Sequence, residues 1–536
     1  MKRFRILLYL ILIAGTIITI LFSFRSGEKN IFLITLDTTR ADHIDYSLGD
    51  NERTPNLAKL ASEGVYYENA FSLIPITLPS HASMFYSLPP HMLNVYNNGD
   101  FVNVNHNSVV QILKNNGFST KGIVSLGVLK SEFGLNRGFD EVIENFLNGI
   151  FYIDARSINS EVFKMLEGES RKTFYWIHYS DPHSPYFTPF YKGGEFRMFL
   201  NKIPVYTCES TDYRKINLEL SLIPGENILN FRTRIPNRVR YNNKIRIDAI
   251  SFLDFKIQSD TSSKDYKVVY PKDWNKREDK NEVNFGTQKR KGKILLINKM
   301  QKDIKIKISF IYRIIETKPS SRYLYRESVK FLDKQIGKLL EHLKKRGIYK
   351  NSVFIIVGDH GEGLGEFKNL VGHVDYLNSI FTKVPLIISG KGIKRKGENT
   401  IPVSTLEIAP TILKFAGIKK PPYMIGENLI ELKQKKNIFL ETYSPEAYHD
   451  GFSILAYPFQ LIYYPERKQE NFEFYNINTD NNGINSIIKN DKFNDIIRGL
   501  KKKLINFTQI QKKIKRRNKS KLSEDQKAML KSLGYL

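Results

Sequence analysis

Three short apolar runs, far apart in the sequence, are each followed closely by an aspartate. They are NIFLITL (30–36) before Asp37, TFYWIHY (173–179) before Asp181 and SVFIIV (352–357) before Asp359. Continuous apolar runs rich in β-branched residues are typical of strands buried on both faces of a sheet. Open parallel sheets bind ligands outside the carboxyl ends of their strands. These aspartates are therefore expected at a site along one sheet edge.

Helix signals alternate with these strands. Thr54 and Pro55 open an amphipathic segment that stops at Gly64. Residues 321–346 follow a 3.6-residue apolar period, and VPLIIS (384–389) predicts one more strand. Strands that alternate with helices favour an α/β fold with a mostly parallel central sheet flanked by helices.

Residues 195–318 follow a different period. Ile216, Leu218, Leu220 and Leu222 alternate with polar residues, and the alternation returns from Ile304. A period of two predicts an inserted antiparallel β domain, which could serve as a sugar-binding sandwich or as a lid. After residue 437 the pattern favours short strands and then a basic, helix-prone tail.

The N-terminus has the pattern of a membrane anchor. Basic Lys2, Arg3 and Arg5 precede an uncharged run from Ile6 to Phe24, which is followed by Arg25. This run is long enough to cross a hydrocarbon core as an N-terminal transmembrane helix, and its basic flank is expected to stay in the cytoplasm. We therefore predict a single-pass protein with an extracytoplasmic (periplasmic or extracellular) catalytic domain; a cleaved signal peptide is the alternative.

Charge and cysteine content narrow the function classes. The formal charge is +27, but its lysines are scattered and accompany no nucleic-acid-binding motif, so we predict no nucleic-acid partner. The single cysteine, Cys208, excludes an intramolecular disulfide and a cysteine-rich zinc site.

Several motifs occur in one order across most of residues 30–430. They are LITLDTTRADH (33–43), TPNLAKLASEGVYYENAFS (54–72), TLPSHASMFYSLPP (77–90), HYSDPHSPY (178–186), VGDHGEGLGE (357–366), VPLIISGKG (384–392) and STLEIAPTILKFAGI (404–418). Together they resemble the sulfatase branch of the alkaline phosphatase superfamily. The resemblance implies a metal-dependent hydrolase, or transferase, acting on sulfate or phosphate esters.

The nucleophile motif departs from the family pattern. Sulfatases carry Cys or Ser in Cys/Ser-x-Pro-x-Arg and oxidise it to formylglycine, whereas this chain has Thr77 there and His81 at the arginine position. Threonine cannot become formylglycine. In this respect the motif is similar to phosphoethanolamine transferases, lipoteichoic acid synthases and nucleotide pyrophosphatases, which act on phosphorus. The usual second aspartate of the first motif is Thr38.

The resemblance implies roles for individual residues. Asp37, Thr77, Asp359 and His360 match a metal-ligand set in which Thr77 is also the nucleophile. His183 and His373 match histidines that contact the transferred group or a second metal; His81 is a further catalytic candidate, and Asp181 a weaker second-metal ligand. A sulfatase-like site favours Ca²⁺ and the Thr-type relatives favour Zn²⁺ or Mn²⁺, while the donor set leaves Mg²⁺ open as well.

We predict five segments along the chain. They are an N-terminal anchor (1–27), the first part of the catalytic domain (28–194), the inserted β module (195–318), the second part of the catalytic domain (319–436) and a C-terminal subdomain with a basic tail (437–536). The expected substrate is a sulfated or phosphorylated glycan or lipid. The alternatives are a sulfuric ester hydrolase that works without formylglycine and a non-catalytic surface protein that binds glycans or lipids.

Overall fold

The computed structural model describes most of the chain after the predicted anchor. The described residues are 30–46, 53–146, 152–167, 172–184, 186, 195–208, 214–234, 249–259, 262, 264–269, 275–279, 282–287, 291–315, 321–433, 437–443, 450–513, 523 and 526–527. The predicted membrane segment, residues 6–24, lies outside them. Within the described part, no helix combines the length and the apolar character needed to cross a bilayer.

The described residues divide into two compact units, one formed by residues 186–331 and the other by the rest. The larger unit is built on an eight-stranded sheet. Its strands are β1 (Asn30–Leu36), β2 (Val65–Tyr67), β3 (Ser119–Ile123), β4 (Glu141–Ile143), β5 (Thr173–Tyr179), β6 (Ser352–Gly358), β7 (Leu386–Gly390) and β8 (Gly397–Asn399). In sheet order they run β8-β2-β7-β6-β1-β5-β3-β4.

The sheet is mixed because one strand is reversed. β1 lies between β6 and β5 and is parallel to both, whereas β7 is antiparallel to β6 and to β2. The remaining pairs, β3 with β5 and β4 and β2 with β8, are parallel. The predicted α/β class is therefore confirmed, with a mixed central sheet. The apolar runs of β1, β5 and β6 are buried throughout except at Asn30.

Helices cover this sheet. The helices of the larger unit, and the one that crosses the unit boundary, are Pro55–Glu63, Thr77–Tyr86, Pro90–Leu93, Val109–Asn115, Ala155–Met165, Ser321–Lys345, Ser379–Thr382, Ile408–Ala416 and Asn494–Lys513. Side chains from Thr77–Tyr86, Val109–Asn115 and Ile408–Ala416 share one apolar core with β1 and β6. At Gly64, just after the first helix, a side chain would collide with the β7 backbone, since a Cβ atom would lie 2.2 Å from the Ile388 carbonyl oxygen.

The smaller unit is an antiparallel β structure of two five-stranded sheets. The first contains Tyr266–Val269, Lys291–Asn298, Gly225–Arg234, Glu195–Leu200 and Ile203–Cys208 in that order, and the second Asn275–Asp279, Glu282–Thr287, Ala249–Ser259, Ile304–Ile315 and Arg214–Leu222. Alternate residues such as Ile216, Leu220 and Ile306 are buried in one apolar core. The period-two pattern arises from this inward and outward alternation. The predicted limits of the module, 195 and 318, stay predictions.

The larger unit ends in a four-stranded antiparallel sheet. Its strands, in order, are Ile438–Tyr443, Asp450–Ala456, Phe459–Tyr463 and Phe472–Asn476. The helix Asn494–Lys513 packs on it through Ile497, Leu500 and Leu504. The larger unit also contains a short hairpin, Gly363–Leu364 with Val371–Gly372, and a small sheet of Lys383–Val384, Ala70–Phe71 and Val403–Ser404.

Candidate active site

Two aspartates emerge side by side from the centre of the sheet. β1 and β6 pair in parallel with Leu36 opposite Gly358, and Asp37 and Asp359 are the next residues of each chain segment. Both side chains are fully buried. The parallel register therefore brings together two carboxylates that are more than 300 positions apart in the sequence.

Each carboxylate has one oxygen with a hydrogen-bond partner and one oxygen without. Asp359 Oδ1 accepts hydrogen bonds from the backbone N–H of Thr38 (3.0 Å) and of His360 (2.7 Å). Asp37 Oδ2 lies 3.2 Å from His178 Nε2. Asp37 Oδ1 and Asp359 Oδ2 are buried without a hydrogen-bond partner. A buried, unpaired carboxylate oxygen is costly, and a cation bound between the two would satisfy both.

His360 and Thr77 complete the donor set. Ligand atoms of Asp37, Asp359 and His360 lie within 4.8 Å of one another, a spacing that fits a single metal ion. The hydroxyl of Thr77 lies 3.2 Å from His360 Nε2. Two carboxylates, an imidazole and a hydroxyl suit several divalent metals, so the geometry does not select among Ca²⁺, Zn²⁺, Mn²⁺ and Mg²⁺.

Thr77 is the first residue of the helix Thr77–Tyr86 and is fully buried. Backbone N–H groups at a helix N-terminus favour a negatively charged oxygen. Asn98 accepts one of them, from Leu78, at 2.9 Å. The helix therefore places the hydroxyl at the sheet edge, where its own N-terminus favours the ionised form.

His81 lies one helical turn after Thr77. Its Nδ1 is 2.8 Å from the Thr77 carbonyl oxygen and therefore donates to it, while its buried Nε2 has no hydrogen-bond partner. Burial and the neighbouring His178 lower the pKa of His81 to about 3. The side chain is thus a neutral imidazole beside the site, where a sulfatase would have the permanent charge of an arginine.

The rings of His183 and His373 form a contact chain with that of His360. The ring centroids of His360 and His373 are 4.3 Å apart, and those of His183 and His373 are 5.4 Å apart. Glu362 Oε2 lies 2.7 Å from His373 Nδ1, and the Ser184 carbonyl oxygen lies 2.7 Å from His183 Nδ1. Three imidazoles therefore lie in contact with one another, and one of them, His360, contacts Thr77.

The two aspartates differ electrostatically. At Asp37, burial opposes ionisation, but the hydrogen bond from His178 and the nearby His183 outweigh it and lower the pKa. At Asp359, burial and the charge of Asp37 raise the pKa well above its usual range. Burial, together with His373, lowers the pKa of His360 well below its usual range. Without a cation, ionisation of Asp359 beside the already ionised Asp37 is therefore unfavourable in free energy.

Asp181 lies beside the start of the helix Ala155–Met165. Its Oδ1 accepts a hydrogen bond from the backbone N–H of Ala155 (3.2 Å), at the start of the helix Ala155–Met165. Burial and the charge of Asp154 raise the pKa of Asp181 well above its usual value. The structure does not bring Asp181 into the group formed by Asp37, Asp359 and His360. The N-cap of that helix is Asp154, and a role for Asp181 at a second metal stays a prediction.

Two residues that hold the others in place, His178 and Glu362, were not predicted from the sequence. His178 bridges Asp37 and Ser125, whose hydroxyl lies 2.9 Å from Nδ1. Glu362 holds His373, and Arg40 Nη1 donates to the Glu362 carbonyl oxygen at 3.1 Å. The available signals were a histidine within an otherwise apolar strand and a glutamate in the Gly-rich segment after His360.

Comparison with known proteins gives a consistent family. A family model described as Sulfatase matches residues 29–418, and one described as N-sulphoglucosamine sulphohydrolase, C-terminal, matches residues 371–510. An arylsulfatase of Clostridium perfringens is 24% identical over 89% of this chain and 94% of its own length. A sulfatase of Formosa agariphila is 28% identical, but that match spans only 33% of this chain and 34% of the relative.

Solved structures share the fold at low sequence identity. A protein in complex with its substrate D-glucosamine-2-N,6-O-disulfate superposes with a TM-score of 0.60 at 17% identity, covering 90% of this chain and 98% of that one. The phosphonate monoester hydrolase of Agrobacterium radiobacter superposes with a TM-score of 0.54 at 13% identity, covering 90% and 96%. The fold is therefore common to enzymes that act on sulfur and on phosphorus.

Proposed function

The chain belongs to the sulfatase family of ester hydrolases, and from that premise we propose that it cleaves sulfate or phosphate esters with Thr77 as the nucleophile and a divalent metal as cofactor. One observation carries the proposal. The Thr77 hydroxyl lies 3.2 Å from His360 Nε2, in a group where Asp37 and Asp359 each have a buried oxygen without a partner.

The residues present fit a metal ion. Asp37, Asp359, His360 and Thr77 would hold it. Ligand atoms of the first three converge, the Thr77 hydroxyl lies beside His360, and one oxygen of each aspartate has no hydrogen-bond partner. A bound divalent cation would supply the positive charge that stabilises the ionised hydroxyl and the anionic ester oxygens. A threonine hydroxyl is a poor nucleophile without such help, because almost none of it is ionised at neutral pH.

The side chains suggest how the reaction divides between them. Thr77 Oγ, having lost its proton to solvent, attacks sulfur or phosphorus as the bond to the ester oxygen breaks. The departing alcohol takes a proton from His373 or His183. Water then gives a proton to that now neutral histidine and attacks the sulfur or phosphorus of the threonine ester; the bond to Thr77 Oγ breaks, and inorganic sulfate or phosphate leaves. With His373 Nδ1 held by Glu362, proton transfer by His373 would use Nε2.

Both sulfate and phosphate esters stay within the proposal. The curated relatives are sulfatases, and one fold neighbour was solved with a disulfated glucosamine, which favours a sulfated saccharide. Thr77 resembles the nucleophile of the phosphorus-cleaving branches instead. We propose a sulfated or phosphorylated saccharide as the substrate class. Turnover of sulfate and phosphate esters by the same protein would show whether sulfur or phosphorus is attacked.

The decisive assay uses the purified protein with one metal restored at a time. The chain is stripped with a chelator, and Ca²⁺, Mn²⁺, Zn²⁺ or Mg²⁺ is added back. Turnover is measured on 4-nitrophenyl sulfate, 4-nitrophenyl phosphate and bis(4-nitrophenyl) phosphate. Metal-dependent turnover of one ester, with a sulfo- or phospho-adduct on Thr77 in the mass spectrum, supports the proposal. A metal-free protein inert toward all three would favour the non-catalytic alternative.

We also propose that the N-terminal segment anchors the enzyme with its catalytic domain outside the cytoplasm. The support is the basic flank at Lys2, Arg3 and Arg5 and the apolar run 6–24. The full-length chain should remain with membranes after alkaline carbonate washing, and a chain lacking residues 1–27 should not. An N-terminus that begins after residue 25 in the mature protein would indicate a cleaved signal peptide instead.

A further inference from the structure

A cavity in the catalytic unit, lined by none of the site residues described above, has the chemistry of a binding site. Its volume is about 870 Å³, within the range of roughly 300–1,000 Å³ typical of ligand pockets. We name it the C-terminal pocket and define it by six of its lining residues, which are Lys368, Tyr376, Arg467, Phe472, Glu473 and Lys489. Lys368 lies in the loop of the hairpin Gly363–Leu364 with Val371–Gly372, and Tyr376 follows that hairpin. The other four belong to the last strand of the C-terminal sheet, Phe472–Asn476, and to the segments before and after it.

Two cations of the C-terminal pocket are fixed around one carboxylate. Glu473 Oε1 lies 2.8 Å from Arg467 Nη1 and 3.4 Å from Lys368 Nζ. The Arg467 guanidinium also stacks 3.5 Å from the centroid of the Tyr464 ring. Two positive charges face one negative charge, so this group carries a net charge of about +1. Because the guanidinium is already ordered, little side-chain entropy would be lost on binding an anion.

Aromatic rings stand beside these cations. Lys368 Nζ lies 4.8 Å from the centroid of the Tyr376 ring, and Phe472 is half-buried in the pocket wall. Lys489, which pairs with Glu470, is 84% exposed at the rim. Aromatic rings accept the apolar faces of sugar rings, and ordered cations accept sulfate or phosphate groups. The combination fits an anionic saccharide better than a neutral or purely apolar molecule.

One hairpin joins the C-terminal pocket to the active site. Gly363 pairs with Gly372 across the hairpin, so Glu362 and His373 lie at its base and Lys368 lies in its connecting loop. Tyr376 follows His373 by three residues, which span at most about 11 Å. The pocket wall at Tyr376 therefore lies within about 11 Å of His373 along the backbone, a distance that an oligosaccharide of a few sugars exceeds.

We propose that the C-terminal pocket binds a second anionic group of an oligosaccharide whose ester is cleaved at Thr77. The inference rests on the proposed function for its substrate class. It assigns Lys368, Lys489 and Arg467 to substrate affinity, not to the chemical step. A monosaccharide or aryl ester would not reach the pocket, whereas a multiply charged oligosaccharide would.

Direct binding tests the pocket independently of turnover. The probe is a heparin-derived hexasaccharide, titrated calorimetrically into the metal-free, full-length chain. Lys368→Ala with Lys489→Ala should raise its Kd by roughly tenfold, since each lost surface charge contributes modestly. The matched control is Lys114→Ala with Lys414→Ala, two exposed lysines in surface ion pairs with Asp140 and Glu431. Arg467 is left intact because it packs on Tyr464.

The outcomes separate the pocket from the catalytic proposal. Unchanged affinity in the pocket variant, an equal loss in the control variant, or equal binding of the desulfated hexasaccharide would each overturn the pocket assignment. If the wild type turns over aryl and oligosaccharide esters, the pocket variant should raise KM for the oligosaccharide only, with kcat unchanged. A wild type that binds the hexasaccharide but cleaves no ester would overturn the proposed function and leave the pocket supported.

Discussion

A buried polar side chain of the β unit differs in its hydrogen bonding from buried polar side chains at the sheet edge of the catalytic unit. In the β unit, Asn227 is fully buried and its side chain makes hydrogen bonds to Asn201, to the Ile223 backbone and to Gly225. At the sheet edge of the catalytic unit, oxygens of Asp37 and Asp359 and a nitrogen of His81 are equally buried and have no partner.

The difference distinguishes a residue that stabilises the fold, Asn227, from residues that are available to bind a ligand, Asp37 and Asp359. A buried amide with all its hydrogen bonds stabilises a turn and needs nothing more. A cluster of unpartnered donor atoms on a rigid sheet edge costs folding free energy and makes sense only if a ligand completes it. Substitutions at the sheet edge of the catalytic unit should therefore lower activity, whereas a substitution of Asn227 in the β unit should lower the free energy of unfolding.

The largest effect is expected at Thr77. Thr77→Ala removes the proposed nucleophile, so kcat on the active ester should fall by roughly four orders of magnitude or more. Circular dichroism and the melting temperature should change little, because alanine is well tolerated at the start of a helix. Ser83→Ala, which removes another buried hydroxyl of the same helix, is the matched control and should keep its activity. Retained turnover in Thr77→Ala would exclude this residue from the reaction.

Metal binding should stabilise the catalytic unit through Asp359. At a metal concentration of 100 times Kd, binding adds about 2.7 kcal/mol to the free energy of unfolding. Asp359→Asn should abolish this gain while leaving the metal-free protein at least as stable, since it removes the costlier of two buried charges. Thermal melts with and without metal measure both quantities. A metal-free Asp359→Asn protein that unfolds much earlier than the wild type would show that the carboxylate serves structure instead.

A smaller effect is expected at Glu362. Its 2.7 Å contact with His373 Nδ1 fixes the orientation and tautomer of that ring. Glu362→Ala should lower kcat by roughly 10- to 100-fold, the range typical when a group that orients a catalytic or metal-bound histidine is removed. Glu362→Gln, which can still accept a hydrogen bond, should recover part of the loss. Equal activity of wild type and Glu362→Ala would remove His373 from proton transfer.

The sequence predicted the elements better than their directions. The runs that became β1, β5 and β6 were predicted as strands because an apolar, β-branched segment of that length has few other places in a fold. The reversed direction of β7 was not predictable, since an apolar run carries no mark of its direction. The alternation of strands with helices predicted a mostly parallel sheet, and β7 is the strand that makes it mixed.

Some residues of the site could be predicted from the sequence, and others could not. Asp37 and Asp359 follow strands whose parallel register is easily inferred, so their approach could be expected. His178 could not be assigned, because a single histidine in a buried strand reads equally well as a core residue. The partnership of Glu362 with His373 depends on a hairpin whose geometry no periodicity encodes.

In the β unit, a substitution of Asn227 should lower the free energy of unfolding and leave kcat unchanged. Asn227→Ala removes an amide whose oxygen accepts from Asn201 Nδ2 (2.8 Å) and whose nitrogen donates to the Ile223 carbonyl oxygen (2.8 Å). Because those buried groups lose their partner, the free energy of unfolding should fall by about 1–3 kcal/mol. Urea unfolding monitored by fluorescence measures the loss. The kcat of the folded fraction on a small aryl ester should match the wild type, and a parallel fall in kcat would mean that the two units are coupled during turnover.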